Sequence, residues 1–512
     1  MPYYSVLFQE QAADDAVSAS PPVQPDFFAD LNLDQLVAHV IAGREEYDLK
    51  PYFHAPLRSL DDIAYRHETF RDLESAPLIQ ALETFTESMR RMRAYAKQMA
   101  KLYYPLQKRR WFAEMADLYC GSVLELLAAL KSADLRSRAL IGFRSYLDGY
   151  IGSSDFMRLH AAVQEVLRSL DAIAYTVHIE GSTFTVRNFQ DELDYGEVIA
   201  SVFEKFRQGE VKNYRTEFPN HADMNHIEAK VLEFVAEINP VAFERLAQFE
   251  SNFKDFENRI VARFDREIQF YLAYRVLMVR FEAIERKFCY PDMSVDKTMH
   301  CVDGFDLALG LVLLNMGRRV VCNDARLDQG ERMIVVTGPN QGGKTTFARM
   351  FGQLHYLAAL GCPVPAASAR LYLFDKIFTH FERQENIDNL SGKLQDDLLR
   401  IKRILDEATP SSIVIMNEIF TSTTLADALF LSRRIMKKAM EIDLIGVWVT
   451  FIDEVAREDS RVASMVSMVD PDRLDLRTFR VVRGPAQGTA YAQSLATKYG
   501  LTFEKIRERI AS

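Results

Sequence analysis

The spacing of apolar positions changes four times along this chain, and each change marks a new segment. Residues 1–28, with Ser18-Ala-Ser-Pro-Pro22, show no period, whereas from 29 to 172 Leu and Ala recur among Arg and Glu at helical intervals. Residues 173–187 alternate instead. Tyr175, Val177 and Ile179 are separated by Thr176 and His178, Gly181-Ser182 intervenes, and Phe184 and Val186 resume, which predicts a β-hairpin. After Pro240 no Gly or Pro occurs until Pro291, and Phe243, Leu246, Phe249, Phe253, Phe256, Ile260, Phe264, Ile268 and Tyr271 recur every three or four residues. That pattern predicts one long amphipathic helix or two helices with a small kink. Unbroken, it would reach on the order of 70 Å and need a partner helix, which 188–210 or 225–238 can supply. It would serve as a spacer between domains or as a moving lever.

From 291 onward short apolar strands alternate with helices. The strand candidates are 333–338, 411–418, 444–451 and 476–484, with helical patterns between the first three. The expected class is α/β, with a mostly parallel sheet covered by helices on both faces and preceded by a mainly helical region. The expected divisions are 1–28, an irregular segment; 29–172, a helical core; 173–290, lever- or clamp-like helices with a hairpin; and 291–512, the α/β domain.

Composition narrows the classes. A chain of 512 residues is too long for one core. The longest apolar runs, 306–316 and 444–452, are too short to span a bilayer, so no membrane association is expected. The first residues lack a basic flank and an apolar stretch, so they do not read as a signal peptide. The five cysteines are scattered with no Cys-x-x-Cys, which fits a reducing cytoplasm. The net charge of −10 resides entirely in residues 1–290, because residues 291–512 carry 28 basic and 28 acidic side chains. An overall basic signature for nucleic acid is absent. One local patch remains: residues 88–112 contain no acid and eight cations, Arg90, Arg91, Arg93, Lys97, Lys101, Lys108, Arg109 and Arg110, interleaved with Tyr95, Tyr103, Tyr104 and Trp111. It suits phosphate neutralisation, or equally a solvated face or partners for nearby acids. Residues 205–225, a candidate clamp tip, mix Lys205, Arg207, Lys212 and Arg215 with Glu204, Glu210 and Glu217.

The chemistry concentrates after the strand at 333. Gly338, Pro339, Asn340, Gln341, Gly342, Gly343, Lys344 and Thr345 spell G-x-x-x-x-G-K-[ST] between a strand and a helix. Glycines let backbone N–H groups turn toward phosphate oxygens, and the helix N-terminus favours an anion. Lys344 would reach the β- and γ-phosphates, and the Thr345 hydroxyl would bind Mg²⁺. At the end of the 411–418 strand, Asn417 and Glu418 stand where ligands sit in open α/β sheets. Glu418 is the candidate base for an attacking water. Asn417 keeps an oxygen for the metal but lacks a carboxylate charge, so weak Mg²⁺ support is expected.

These segments resemble the ATPase domain of the MutS mismatch-repair family. The family's T-G-P-N-M-G-G-K-S-T matches 337–346, which adds Thr346 to the nucleotide-binding candidates, and D-E-x-G-R-G-T-S-T-x-D-G falls without a gap on 417–428, retaining Glu418, Thr423 and Asp427. Pro365-Ala366, Asp375–Thr379 and the 488–501 segment GTAYAQSLATKYGL follow the family too. The likeness is dense over 320–510 and weaker at 47–72. It implies a P-loop NTPase domain of the ABC type, ATP and Mg²⁺ as cofactors, Lys344 and Glu418 as catalytic residues, and Thr345 and Asn417 as metal contacts. It also implies homodimeric pairing through the ATPase domain and double-stranded or branched DNA as partner. Val321 and Asn323 join the candidate nucleotide contacts.

The departures are specific. The family's Walker B aspartate is Asn417, its A-T-H histidine is Phe451, its adenine-stacking aromatic falls on Val320, and its composite-site serine falls on Gly392, beside Ser391. The acid five residues further on is Asp397, and His380 takes the slot of the I-F-T-R arginine. These changes bear on catalytic rate and on the contact between subunits. Residues 1–290 leave no room for the family's mismatch-reading domain. The expected protein is therefore an ATP-binding and ATP-hydrolysing clamp that does not read mismatches directly. The alternative is an ATP-dependent switch or scaffold acting on a protein partner with weak hydrolysis.

Overall fold

The structure, a computed structural model, describes residues 4–10, 23–181, 183–190, 224–382, 392–469, 477–486 and 501–511. It divides into two compact units: residues 75–135 with 142–265, and residues 1–74 with 136–141 and 266–512. Two of the divisions, 141/142 and 265/266, fall within helices Arg138–Ile151 and Arg259–Glu282, and the others, 74/75 and 135/136, fall between helices; none lies at 172/173 or 290/291. Among the described residues no helix is long and apolar enough to cross a membrane.

Among its described residues, the unit of residues 75–135 and 142–265 is helical apart from one hairpin. Helices Ala76–Lys101 and Pro105–Ser132 pack together, Ser154–Asp171 and Pro240–Asn252 pack on the second of them, and His226–Ile238 lies against Pro240–Asn252. Strands β1 (Tyr175–Glu180) and β2 (Thr183–Asn188) pair antiparallel around Gly181, whose φ of 61° suits the turn. The apolar run after Pro240 forms two helices, Pro240–Asn252 and Arg259–Glu282, separated by residues 253–258. The second has 24 residues and spans about 36 Å, half the reach of an unbroken helix. Phe256 leaves the helical path to meet Phe112 and Tyr119, both with ring centroids 5.5 Å away. The Asn258 carboxamide oxygen accepts from Ile260 N at 2.8 Å and Val261 N at 3.2 Å, capping the second helix. Tyr119 Oη accepts from Asn258 N at 3.1 Å, which holds the end of the break. Residues 205–223 of the clamp-tip candidate and 191–210 of the 188–210 helix partner lie outside the described residues.

The other unit is α/β, with two sheets among its described residues. Its smaller sheet is mixed, with β3 (Asp292–Ser294), β4 (Met299–Gly304), β5 (Asn323–Leu327) and β7 (Ser368–Tyr372) in the order β3-β7-β4-β5. The larger contains β6 (Met333–Thr337), β8 (Ile377–Phe381), β9 (Ile413–Asn417), β10 (Ile445–Val449), β11 (Val462–Val469) and β12 (Arg477–Arg483), in the order β12-β11-β6-β10-β9-β8. Five of these strands run parallel, and β12 alone is antiparallel to its neighbour. Continuous apolar sequences in β6, β9 and β10 reflect burial on both faces. Met333, Val335, Val414, Met416 and Trp448 pack against helices Lys393–Glu407 and Leu425–Ile442. Helix Lys344–Ala359 covers the opposite face, where a Cβ at Gly352 would lie 2.7 Å from Ile415. The sheet order sets β10 between β6 and β9, with Val449 level with both Val336 and Asn417. The loop after β6 and the polar end of β9 thus open on the same edge.

Helix Lys344–Ala359 is held along its length. Arg349 Nε donates to Asp30 O (2.9 Å), Gln353 Nε2 to Leu31 O (2.9 Å) and Asp306 (2.8 Å), Tyr356 Oη to Phe53 O (2.9 Å), and Arg66 Nη1 to Leu360 O (2.8 Å). The irregular segment Ser5–Phe8 is buried in this unit as well. Glu267 Oε2 accepts from Ser5 Oγ (2.8 Å) and Val6 N (2.7 Å). Tyr65 Oη donates to Ser5 O (2.7 Å), Tyr271 Oη to Val6 O (2.5 Å) and Arg66 Nε to Leu7 O (3.1 Å). The Arg66 guanidinium also lies 5.2 Å from the Phe8 ring centroid and 5.1 Å from that of Phe270.

Candidate functional site

The loop between β6 and helix Lys344–Ala359 takes three left-handed residues, Gly338 (φ 118°), Gln341 (φ 61°) and Gly343 (φ 94°). Alternation of this kind curls the backbone into an anion-binding concavity. Among the described residues, the N–H groups of Gln341 and Gly343 donate to no protein atom. Inside the curl Lys344 Nζ donates to Gly338 O (3.0 Å), Pro339 O (3.2 Å) and Asn340 Oδ1 (3.2 Å), and lies 3.4 Å from Glu418 Oε1. Burial pulls the Lys344 ammonium below its ordinary value, and the Glu418 carboxylate opposes that shift.

The polar end of β9 meets the loop directly. Thr345 Oγ1 donates to Asn417 Oδ1 at 2.9 Å. Glu418 has φ 50° and Phe420 φ 62°, a left-handed backbone uncommon in residues other than glycine. Glu418 N donates to Val449 O at 2.9 Å, which fixes the turn that presents its carboxylate to Lys344. Thr423 and Asp427 act locally: Thr424 caps helix Leu425–Ile442 by accepting from Asp427 N, while the Asp427 carboxylate accepts from Thr424 Oγ1 at 2.8 Å.

The remaining candidates separate. Asn323 is taken up by β12: its Nδ2 donates to Phe479 O (3.1 Å) and its Oδ1 accepts from Val481 N (2.7 Å). Val321 is partly buried, and Val320 is buried with its carbonyl accepting from Arg286 Nη2 at 2.7 Å. Phe451 is half exposed. Gly392 caps helix Lys393–Glu407 without a side chain, while Ser391 and residues 488–500 lie outside the described residues. His380 is buried with Nε2 3.2 Å from Asp397 Oδ1, so the two substituted slots face each other.

Three residues beside the loop escaped the sequence patterns. Ser467 of β11 is fully buried and its Oγ donates to Gly342 O at 2.6 Å. Arg477 Nε donates to Asn340 O at 3.3 Å. Phe479, with φ 57°, is half exposed and borders Gly343, because β12 bulges between its pairings at Val481 and Arg477. Only their strand periodicity was available as a signal, and it does not distinguish these positions from their neighbours.

The basic run at 88–112 is partly neutralised within its own unit. Arg93 pairs with buried Asp265 (2.5 Å), Arg109 with Glu250 (3.0 Å), and Arg110 with Glu114 (2.9 Å) and Asp171 (3.2 Å). Arg90 lies 3.7 Å from Glu87. Among the described residues Lys97, Lys101 and Lys108 form no ion pair, and Tyr103 is exposed.

A glycine-rich loop joining a central parallel strand to a buried helix, with a polar strand end at its mouth, places the larger unit among α/β proteins built on a mostly parallel sheet. Residues 334–500 match the family model of MutS domain V. Over 436 residues the chain is 24% identical to the DNA mismatch repair protein MutS of Bacillus licheniformis, covering 80% of this chain and 45% of that protein. It is 26% identical over 204 residues to the MutS of Bacillus pumilus (38% of this chain, 23% of that protein). With the MutS of Zymomonas mobilis it shares 28% over 184 residues (36% and 21%). The match identifies a MutS domain V at residues 334–500, and the chain spans less than half the length of each of these relatives.

Proposed function

We propose that the 338–345 loop binds ATP with Mg²⁺, and that the chain is a MutS-like ATPase that engages DNA as a dimeric clamp without reading mismatches directly. The observation that carries the nucleotide reading is the Lys344 ammonium set within the curl, 3.4 Å from Glu418, while Thr345 reaches Asn417. Gly338, Pro339, Asn340, Gln341, Gly342, Gly343 and Thr346 surround the phosphates, and the free N–H groups of Gln341 and Gly343 are their donors. The Thr345 hydroxyl, the Asn417 carboxamide and the Glu418 carboxylate form an all-oxygen donor set, which fits Mg²⁺. Bound there, the ion supplies charge stabilisation to the phosphates. Glu418 orients or deprotonates the attacking water, and Asn417 supports the metal with a dipole rather than a charge, which slows hydrolysis. Val321 and Asn323 act at the periphery, Asn323 by fixing β12 beside the loop.

The paired arginines at 93, 109 and 110 favour a second reading, in which ATP drives a conformational switch or scaffold for a protein partner. Two measurements decide. Steady-state phosphate release should fall on Glu418→Gln; equal rates remove Glu418 as the base. Binding to duplex and branched DNA at low salt with ATP should weaken steeply with added salt. Absence of that binding retires the clamp in favour of the switch.

A further inference from the structure

We propose that Ser467 is a positioning residue for phosphate binding, acting by fixing one peptide plane of the loop; the proposal rests on the nucleotide reading above. Its Oγ donates to the Gly342 carbonyl at 2.6 Å, across 125 residues of sequence, and Ser467 is fully buried. A trans peptide is planar, and its carbonyl and following N–H point in opposite directions. Holding the Gly342 carbonyl toward β11 therefore turns the Gly343 N–H away from β11. That N–H donates to no described protein atom. It is left for an anion.

The same residue crowds two glycines of the motif, Gly342 through its hydroxyl and Gly338 mainly through its backbone. A Cβ at Gly342 would lie 2.2 Å from Ser467 Oγ, and one at Gly338 would lie 3.0–3.1 Å from Ser467 O, Cβ and N. Gly338 also needs its φ of 118°. The loop thus packs directly on Ser467, and β11 reaches it because Val466 pairs with Thr337, the residue before the loop. Removing the hydroxyl leaves the 342–343 peptide free to rotate. The Gly343 N–H is then no longer preorganised, while the fold around it is intact.

The test is calorimetric titration of the full chain with ATP, ADP, AMP and adenosine. Ser467→Ala should weaken ATP and ADP by about tenfold, the scale of one hydrogen bond with its geometry lost. Adenosine, which has no phosphate, should be unchanged, AMP, which keeps only the α-phosphate, should be the least affected nucleotide, and the melting temperature of the unliganded chain should hold to within a few degrees. A merely structural role would lower the melting temperature and weaken all four ligands together, and would overturn the proposal. So would an unchanged ATP affinity while Lys344→Ala abolishes binding. If the wild-type chain binds no nucleotide, the broader reading fails with it. A double-mutant cycle adds an independent check: Gly342→Ala should cost less in the Ser467→Ala background, where the clashing oxygen is gone, than in the wild type. Additivity would count against the clasp.

Discussion

Two irregular segments of this chain, Ser5–Phe8 and Gly338–Gly343, are both gripped by polar side chains, and to opposite ends. In the first, Glu267, Tyr65, Tyr271 and Arg66 occupy the N–H of Val6 and the carbonyls of Ser5, Val6 and Leu7. Ser5 Oγ accepts from the N–H groups of Leu7 (3.1 Å) and Phe8 (3.0 Å). In the second, the contacts fall on carbonyls: Lys344 on Gly338 and Pro339, Ser467 on Gly342, Arg477 on Asn340. The N–H groups of Gln341 and Gly343 stay uncommitted among the described residues. A backbone with most of its donors and acceptors engaged is an anchor. One held mainly through its carbonyls, with donors such as the Gln341 and Gly343 N–H groups left over, is a site for an anion.

The contrast can be broken most forcefully at Arg66. Arg66→Ala strands the carbonyls of Leu7 and Leu360 and empties the space between Phe8 and Phe270. Loss of about 3–5 kcal/mol is expected in denaturant titrations, with the ATP affinity of the folded fraction unchanged. An equal loss of affinity would make the anchor part of the site.

Acid tests the scaffolds behind the two segments. His67 lies on the helix that grips Ser5–Phe8, and His355 on the helix that follows the loop; burial lowers each to about 4. Both are neutral in the folded state, and the unfolded chain takes up their protons first, below about pH 6.5. Their contribution is fully present above pH 6.5 and declines as pH falls toward 4, by about 3 kcal/mol for each histidine. Denaturant midpoints measured from pH 7.5 to 4.5 should show this fall. His67→Gln and His355→Gln should each flatten it, and an unchanged slope would remove the histidine from the account.

Lys344→Ala should reverse the Arg66 pattern. Nucleotide affinity should drop at least about 100-fold, equivalent to roughly 3 kcal/mol, while the melting temperature holds, since the lost cation was itself desolvated. A stability loss larger than the binding loss would show the loop to be structural. The smallest effect is expected at Gln341→Gly, which relieves a left-handed φ of 61° and should change stability by about 1 kcal/mol or less. Nucleotide affinity should hold, because the N–H remains.

Much of the candidate site could be read along the chain because it is local. Gly338 to Thr345 lie in one stretch between a strand and a helix, and β6, β9, β10 and β12 fall within the apolar runs that predicted them. Strands β8 and β11 and the four-stranded sheet were not read. β11 alternates Ala463, Ser464 and Ser467 among apolar residues, so no continuous run marks it, although it lies beside β6 in the sheet. The long helix after Pro240 fitted its period through Phe253 and Phe256, yet Asn258 caps a new helix there because Tyr119, from a distant helix, satisfies its backbone.

The sequence by itself determined the loop, its helix and the Asn417-Glu418 strand end, since neighbours within a few residues impose φ, ψ and period. It also carried the likeness to the MutS family. Only the tertiary structure decided which groups those residues face. Ser467 meets Gly342, Asn323 is drawn to β12, His380 faces Asp397, and Arg93, Arg109 and Arg110 find acids in a run that reads as uniformly basic. The physical reason is that a hydrogen bond or ion pair depends on approach within about 3 Å. Approach between residues a hundred positions apart is set by sheet order and packing, and a linear period does not encode it.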